Sequence, residues 1–270
     1  MNSWIIAAGA AFAAALSARW NWWRPTIGGI PILMYHKVGV APAGSKLMKL
    51  WVTPAEFRRQ MEYLSKNGWH PITFKDLYSH WDKGTPLPKK PVILTFDDGY
   101  QNNFTEAFPI LRDFGFRAVI YVVVQTVGFD NQWHNPASET RIPMISWAQL
   151  KEMQKAGWEI GSHTMNHPNL GRTDIKDVKR EVEKSRAIIA EFLEETPDSF
   201  AYPYGAGEDV PAVVQAVKEA GYRTAVTVHA GKWPIERFGD KPLNLPRAFV
   251  RGDDNMLDFH LHLTRGRSRF

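Results

Sequence analysis

The stretch LTFDDGYQNN (residues 94–103) runs an apolar segment into two adjacent aspartates and a glycine. Together with the two residues before it, VILTF (92–96) is short and rich in β-branched side chains, as a strand buried on both faces would be. Along a strand neighbouring side chains face opposite ways, so Asp97 and Asp98 share one site only if the strand stops there, and Gly99 permits that turn. Held together without compensation, one carboxyl would have its pKa raised by the other, and burying the pair would be costly. A divalent cation resolves the conflict.

Outward from this point the chain alternates short apolar runs with amphipathic stretches. IPILMYH (30–36), RAVIYVVV (117–124), WEIGSH (158–163), DSFAYPYG (198–205), YRTAVTV (222–228) and LPRAFV (245–250) read as strands. Between them TPAEFRRQMEYLSKNG opens with Thr53, Pro54 and Glu56 in capping-box order and sets Phe57, Met61 and Leu64 on one helical face. SWAQLKEMQKAG (146–157) carries Ser146 and Gln149 in the same box positions, and a charged helix is expected from about 174 to 195. Such β/α alternation implies a parallel sheet with helices outside, either open and doubly wound or closed as a barrel. In both cases ligands bind at the carboxyl ends of the strands.

The next strand end supplies what a cation beside Asp97 and Asp98 lacks. GSHTMNHP (161–168) places His163 and His167 four residues apart, and a helical turn would bring both imidazoles to one face, although Pro168 bars a longer helix. Two imidazole nitrogens and one carboxylate oxygen form a three-ligand set for zinc with a position left open.

TFDDG (95–99), SHTMNH (162–167) and FAYPYG (200–205), in this order, resemble the motifs of polysaccharide deacetylases, the NodB-homology domain of carbohydrate esterase family 4. PILMYHKVG (31–39) and LPRAFV are similar to one branch of that family, so the likeness covers about residues 30–255. The resemblance implies an α/β fold, a distorted (β/α) barrel with about seven parallel strands. It implies that Asp98, His163 and His167 hold a divalent metal, with zinc the expected ion, and that Asp97 is the general base. It also implies that the backbone N–H of Tyr204 faces the oxyanion.

Two family features are missing from their usual places. Ala201-Tyr202-Pro203-Tyr204 stands where the family often has Arg-Pro-Pro-Tyr, so the arginine that orients the catalytic aspartate is absent there. Arg247, on the last strand, is expected to replace it as a bidentate partner of Asp97. The Leu-x-His motif that donates the general acid is not found in FHLHLTRG, which holds His260 and His262. His36, at the end of the first strand, is the preferred acid, with His229 the alternative and a bracing role for His36 a second.

The totals frame these readings. At 270 residues and 44% hydrophobic content the chain can bury one large core, and no linker or repeat divides it. Lys and Arg are scattered, so the net charge of +5 is read as a solvated surface and no nucleic-acid partner is expected. Zero cysteines exclude disulfides and thiolate metal sites. Residues 1–24 stand apart from the catalytic domain assigned to 25–270. WIIAAGAAFAAALSA (4–18) is uncharged and is followed by Arg19, Trp20, Trp22, Trp23 and Arg24. A retained anchor is the first reading, a signal segment cleaved near Ala15–Ala18 the second and a core helix the third. The two arginines vote for a cytoplasmic body. A membrane-associated protein of the cell envelope, anchored or secreted, is therefore expected, acting on an N-acetylated glycan, polymeric or lipid-linked. Deformylation or another amide hydrolysis on a lipid-carried sugar, and glycan binding without turnover, are the alternatives. Residues 128–144 lack periodicity and read as a substrate-shaping loop or a passive insertion, and Trp133, Trp147 and Trp233, near loop or helix starts on the active side, are candidate sugar platforms or plain core or rim residues.

Overall fold

The computed structural model describes residues 3–19, 25–137, 139–233 and 242–269. An N-terminal helix α1 (Ser3–Arg19) precedes β1 (Ile32–Tyr35), β2 (Lys37–Val38), β3 (Trp51–Val52), α2 (Pro54–Lys66), β4 (His70–Ile72), α3 (Phe74–Lys83) and β5 (Pro91–Phe96). There follow α4 (Phe108–Asp113), β6 (Val119–Val122), α5 (Trp147–Lys155), β7 (Glu159–Ser162), α6 (Ile175–Leu193) and β8 (Ser199–Ala201). Last come α7 (Pro211–Glu219), β9 (Thr224–Val226), β10 (Ala248–Phe249) and α8 (Met256–Arg265).

The main sheet runs β10-β1-β5-β6-β7-β8-β9, every pairing parallel, with β4 added alongside β5. Leu245 pairs with Val226, so the stretch 245–249 leans first on β9 and then on β1 and joins the two edges of the sheet. This is the distorted (β/α) barrel that the motifs imply. Alternation decides which side chains enter it: Ile32, Ile93, Val119, Tyr121, Ala201, Val226 and Leu245 form an interior cluster, while Leu33, Tyr35, Leu94, Phe96, Ile120 and Val122 face the outer helices. Phe74, Leu77 and Tyr78 of α3 join the interior cluster, and the Tyr78 hydroxyl lies 2.6 Å from Thr224 Oγ1, at the end of the barrel where the strands begin.

The helix starts follow the caps read in the sequence. Thr53 Oγ1 accepts from the Glu56 N–H at 3.2 Å, and Ser146 and Gln149 close a full capping box. No helix among the described residues is long and apolar enough to cross a membrane. In α1 the side chains of Trp4, Ile5, Ile6 and Phe12 are exposed. The side chain of Arg19, the residues Trp20, Trp22 and Trp23, and Arg24 lie outside what is described.

Candidate active site

The period of two along β5 sends Ile93, Thr95 and then Asp97 toward the barrel interior. Arg247, which no solvent reaches, meets it there: its NH1 and NH2 donate to Oδ1 and Oδ2 of Asp97 at 2.6 and 2.7 Å. The guanidinium is itself fixed by the Thr227 carbonyl at 2.8 Å and by Thr95 Oγ1 at 3.1 Å. Burial alone would raise the Asp97 carboxyl, but the Arg247 charge and hydrogen bonds outweigh it and hold the group below the usual carboxylate range. The expected bidentate pairing is thus present in the fold, although Arg247 stands one residue before β10 rather than within it.

After Asp97 the chain reverses through Asp98 (φ 74°) and Gly99 (φ 79°). A Cβ on Gly99 would stand 3.1 Å from Val122 Cγ1, so both the dihedral and the space call for glycine. The turn swings Asp98 away from Arg247 and onto the end of β7. Asp98 Oδ1 lies 3.4 Å from His163 Nε2 and 3.3 Å from His167 Nε2, and the two Nε2 atoms are 3.2 Å apart. The segment is not helical there: Thr164 (φ 70°) and His167 (φ 59°) make a left-handed turn that converges the imidazoles. Of the five non-glycine residues with positive φ among those described, Asp98, Thr164, His167 and Tyr204 all sit at this end of the barrel. Backbone strain of about 1–3 kcal/mol apiece collects where geometry is demanded.

The Asp98–His163–His167 triangle has the dimensions of an ion site. Ligand atoms bound at about 2.0–2.2 Å in a tetrahedron lie roughly 3.3–3.6 Å from one another. Two of the observed separations fall at the short side of that range and the third, 3.2 Å, just below it, and all three residues are buried. The His163 Nδ1 lies 2.7 Å from the Ala201 carbonyl, which can only accept, so the proton sits on Nδ1 and Nε2 keeps its lone pair for the ion. The set fits a divalent cation held by two nitrogens and one oxygen.

His36 follows the inward Ile32 and Met34 of β1, and its ring meets Phe249 edge-on at 5.5 Å. Burial lowers its imidazole, and the nearby Asp98 and Asp97 carboxylates pull it partly back. The other histidines considered for the acid have partners elsewhere: His229 with Glu208, His260 with Tyr63 Oη at 2.7 Å, and His262 with Asp254 at 2.9 Å. Tyr204 (φ 60°) is exposed, with its ring 4.5 Å from that of His167 at the mouth. Of the three tryptophans, Trp133 alone reaches the site, 4.9 Å from the His167 ring. Trp147 stacks on Phe192 at 4.4 Å between α5 and α6, and Trp233 bridges to Ile30 before β1.

Lys37, Tyr100, His134 and Glu139 also belong to this site, and no local pattern marks them. Lys37 is wholly buried, its ammonium 4.7 Å from the Tyr100 ring centre, 5.1 Å from that of Trp51 and 3.4 Å from Glu139 Oε1. Burial lowers its pKa, opposed by Glu139. Glu139 also accepts from Ser45 Oγ (2.7 Å) and from the N–H groups of Lys46 and Leu47 (3.0 and 3.2 Å). Tyr100 Oη lies 3.3 Å from His134 Nε2. These contacts fold the 128–144 loop over the triangle.

The sequence profile described as polysaccharide deacetylase matches residues 84–225. The putative polysaccharide deacetylase YxkH of Bacillus subtilis is 28% identical over 202 residues, 75% of this chain and 65% of its own length. The chain therefore spans less than two thirds of that relative. A poly-β-1,6-N-acetyl-D-glucosamine N-deacetylase of Staphylococcus aureus is 28% identical over 229 residues, 76% of each chain. The solved structure of IcaB from Ammonifex degensii superposes with a TM-score of 0.70 at 26% identity, covering 84% of this chain and 94% of that one.

Proposed function

The chain belongs to the polysaccharide deacetylase family, and from that premise we propose that it is a metal-dependent hydrolase that removes N-acetyl groups from a cell-envelope glycan of N-acetylhexosamine, of the poly-β-1,6-N-acetylglucosamine type. One observation carries the reading: a carboxylate held ionised by Arg247 stands next in the chain to the Asp98–His163–His167 triangle. A divalent ion there, zinc by its donor set, supplies Lewis-acid polarisation of the amide oxygen and a lowered pKa of water.

The remaining chemistry belongs to the chain. Asp97 takes the proton of the attacking water. Both its oxygens accept from Arg247, which fixes the carboxylate plane and leaves a lone pair on each oxygen for that proton. The Tyr204 N–H donates to the oxyanion as the carbonyl carbon becomes tetrahedral. His36 gives a proton to the nitrogen as the C–N bond breaks, and acetate and a free amino sugar leave. The half-buried Trp133 offers an apolar face to the sugar beside His167. The apolar α1 serves as a retained membrane anchor, keeping the site near a growing or lipid-linked glycan, and co-sedimentation of the full chain with lipid vesicles tests that role.

Zinc-loaded protein incubated with β-1,6-linked N-acetylglucosamine oligomers is expected to release acetate and no formate. Release of formate from a formylated sugar in preference to acetate would transfer the reading to a deformylase. Glycan binding with no release of either would leave a binding domain.

A further inference from the structure

We propose that a cavity next to His36 is an anion subsite, so that a glycan bearing an acidic group, a carboxylate or a phosphate, close to the N-acetylated sugar is preferred over the unsubstituted N-acetylglucosamine polymer; this rests on the deacetylase reading. The cavity measures about 460 Å³ and lies at the same end of the barrel as the metal triangle, between the ends of β1 and β10, the residues after β9 and the segment after α8. Its volume is that of a sugar-sized site. Its lining includes Arg251, Arg267 and Arg269 with His36 and His262, and no aspartate or glutamate.

The nearby acids are already engaged outside the lining. Arg269 binds Asp253 at 2.9 Å and Asp254 at 2.6 Å, and Asp254 also holds His262 Nε2 at 2.9 Å and the Arg251 N–H at 2.9 Å. Arg251 keeps its guanidinium for the cavity: among the described residues no carboxylate pairs with it, and it lies 5.2 Å from the Phe249 ring centre. That ring also packs on His36, so one aromatic side chain sets the distance between the unpaired cation and the proton donor. A cation stacked on a ring and lined up with no acid is an arrangement that recognises carboxylate or phosphate.

A second observation is independent of charge. His262 and Ser268, 5% and 1% exposed, line the cavity, and His262 Nδ1 and Ser268 Oγ have no hydrogen-bond partner. Buried polar atoms left unpaired cost free energy, and a bound polar ligand that draws these two side chains toward the cavity removes the cost. Cation, hydroxyl and ring nitrogen together select a charged sugar over a neutral hydrocarbon.

The experiment measures acetate release by the full zinc-loaded chain from three probes: a neutral β-1,6-linked N-acetylglucosamine pentamer, a hyaluronan hexasaccharide for the carboxylate, and N-acetylglucosamine 1-phosphate for the phosphate. At least one acidic probe is expected to exceed the neutral one about tenfold in kcat/KM, through KM, the scale of one charge-assisted contact. The probe that does so identifies the source of the charge. Arg251→Gln is expected to collapse that ratio and Arg251→Lys to restore part of it, while Arg180→Gln on the exposed face of α6 leaves it unchanged. A neutral probe equal to or better than both acidic ones, or a ratio untouched by Arg251→Gln, overturns the proposal. Should no probe release acetate, the deacetylase reading fails by itself, and calorimetry with the same probes decides the subsite. Tighter binding of an acidic probe, lost in Arg251→Gln, upholds it, and equal binding sinks it.

Discussion

Asp97 and Glu159 are carboxylates at opposite ends of the same barrel, each about 2% exposed, and the protein treats them in opposite ways. Asp97 ends β5 against a bidentate guanidinium and is held below the usual carboxylate range. Glu159 begins β7 with two neutral donors, Ser199 Oγ at 2.7 Å and the Lys75 N–H at 3.0 Å, and burial pushes its carboxyl up to about 7. The Lys75 ammonium pairs with Glu195, and its charge offsets the effect of burial on Glu159 only in part. Equal burial therefore gives opposite shifts, and the partner decides which. An ionised acid stands at the end of the barrel that holds the metal triangle, and at the other end stands one that keeps its proton up to about pH 7.

The sharpest way to break this contrast is through turnover. Asp97→Asn should lower kcat by about 10²–10⁴-fold, the range for loss of a general base, while Glu159→Gln should leave kcat nearly untouched. Equal losses in acetate release would show that the two ends do not differ in role. Stability comes next. Arg247→Met strands the Asp97 charge in the interior and should cost about 3–5 kcal/mol in urea unfolding.

Glu159→Gln should act in the other direction and depend on pH. The unfolded carboxyl ionises above about 4.5, whereas the folded one keeps its proton to about 7, so the native state binds more protons between these values and stability falls as pH rises through them. At about 1.4 kcal/mol per pH unit, removing the charge should stabilise the protein at pH 8 by up to about 3 kcal/mol relative to its effect at pH 4. Paired thermal melts of variant and parent at the two pH values measure it, and a difference that does not grow with pH refutes the assignment. The smallest effect belongs to Lys75→Gln. Its ammonium pairs with Glu195 across a half-exposed surface, so the loss should stay below about 1 kcal/mol, and Glu159, which loses the Lys75 charge but keeps the backbone N–H, should titrate slightly higher.

Much of the frame was legible because it is written in short-range periodicity. The β/α alternation, the capped helices at Thr53 and Ser146, and the polar residues just past Phe96 and Ser162 depend on neighbours within a few residues. The approach of Arg247 to Asp97 was legible only in part: Asp97 ends β5, but Arg247 precedes β10 and reaches Asp97 through the length of its side chain in the barrel interior. What stayed hidden depends on contacts between distant segments. Nothing local distinguishes Trp133, which packs on His167, from Trp147, which packs on Phe192. Lys37 reads as an ordinary charged residue after a strand, and its burial follows only from Glu139, 102 positions later. The local expectation also erred over the His163–His167 turn, where a helical spacing suited the geometry but left-handed residues produce it.

The buried grip of Glu139 on Lys37, Ser45, Lys46 and Leu47 has a consequence for how such a protein can diversify. The canopy above the triangle is latched from behind, at a point away from whatever lies beneath Trp133. Its crest can therefore be rewritten, lengthened or trimmed while the latch keeps the base of the canopy in register, so one scaffold can accommodate differently shaped glycans without rebuilding its chemistry.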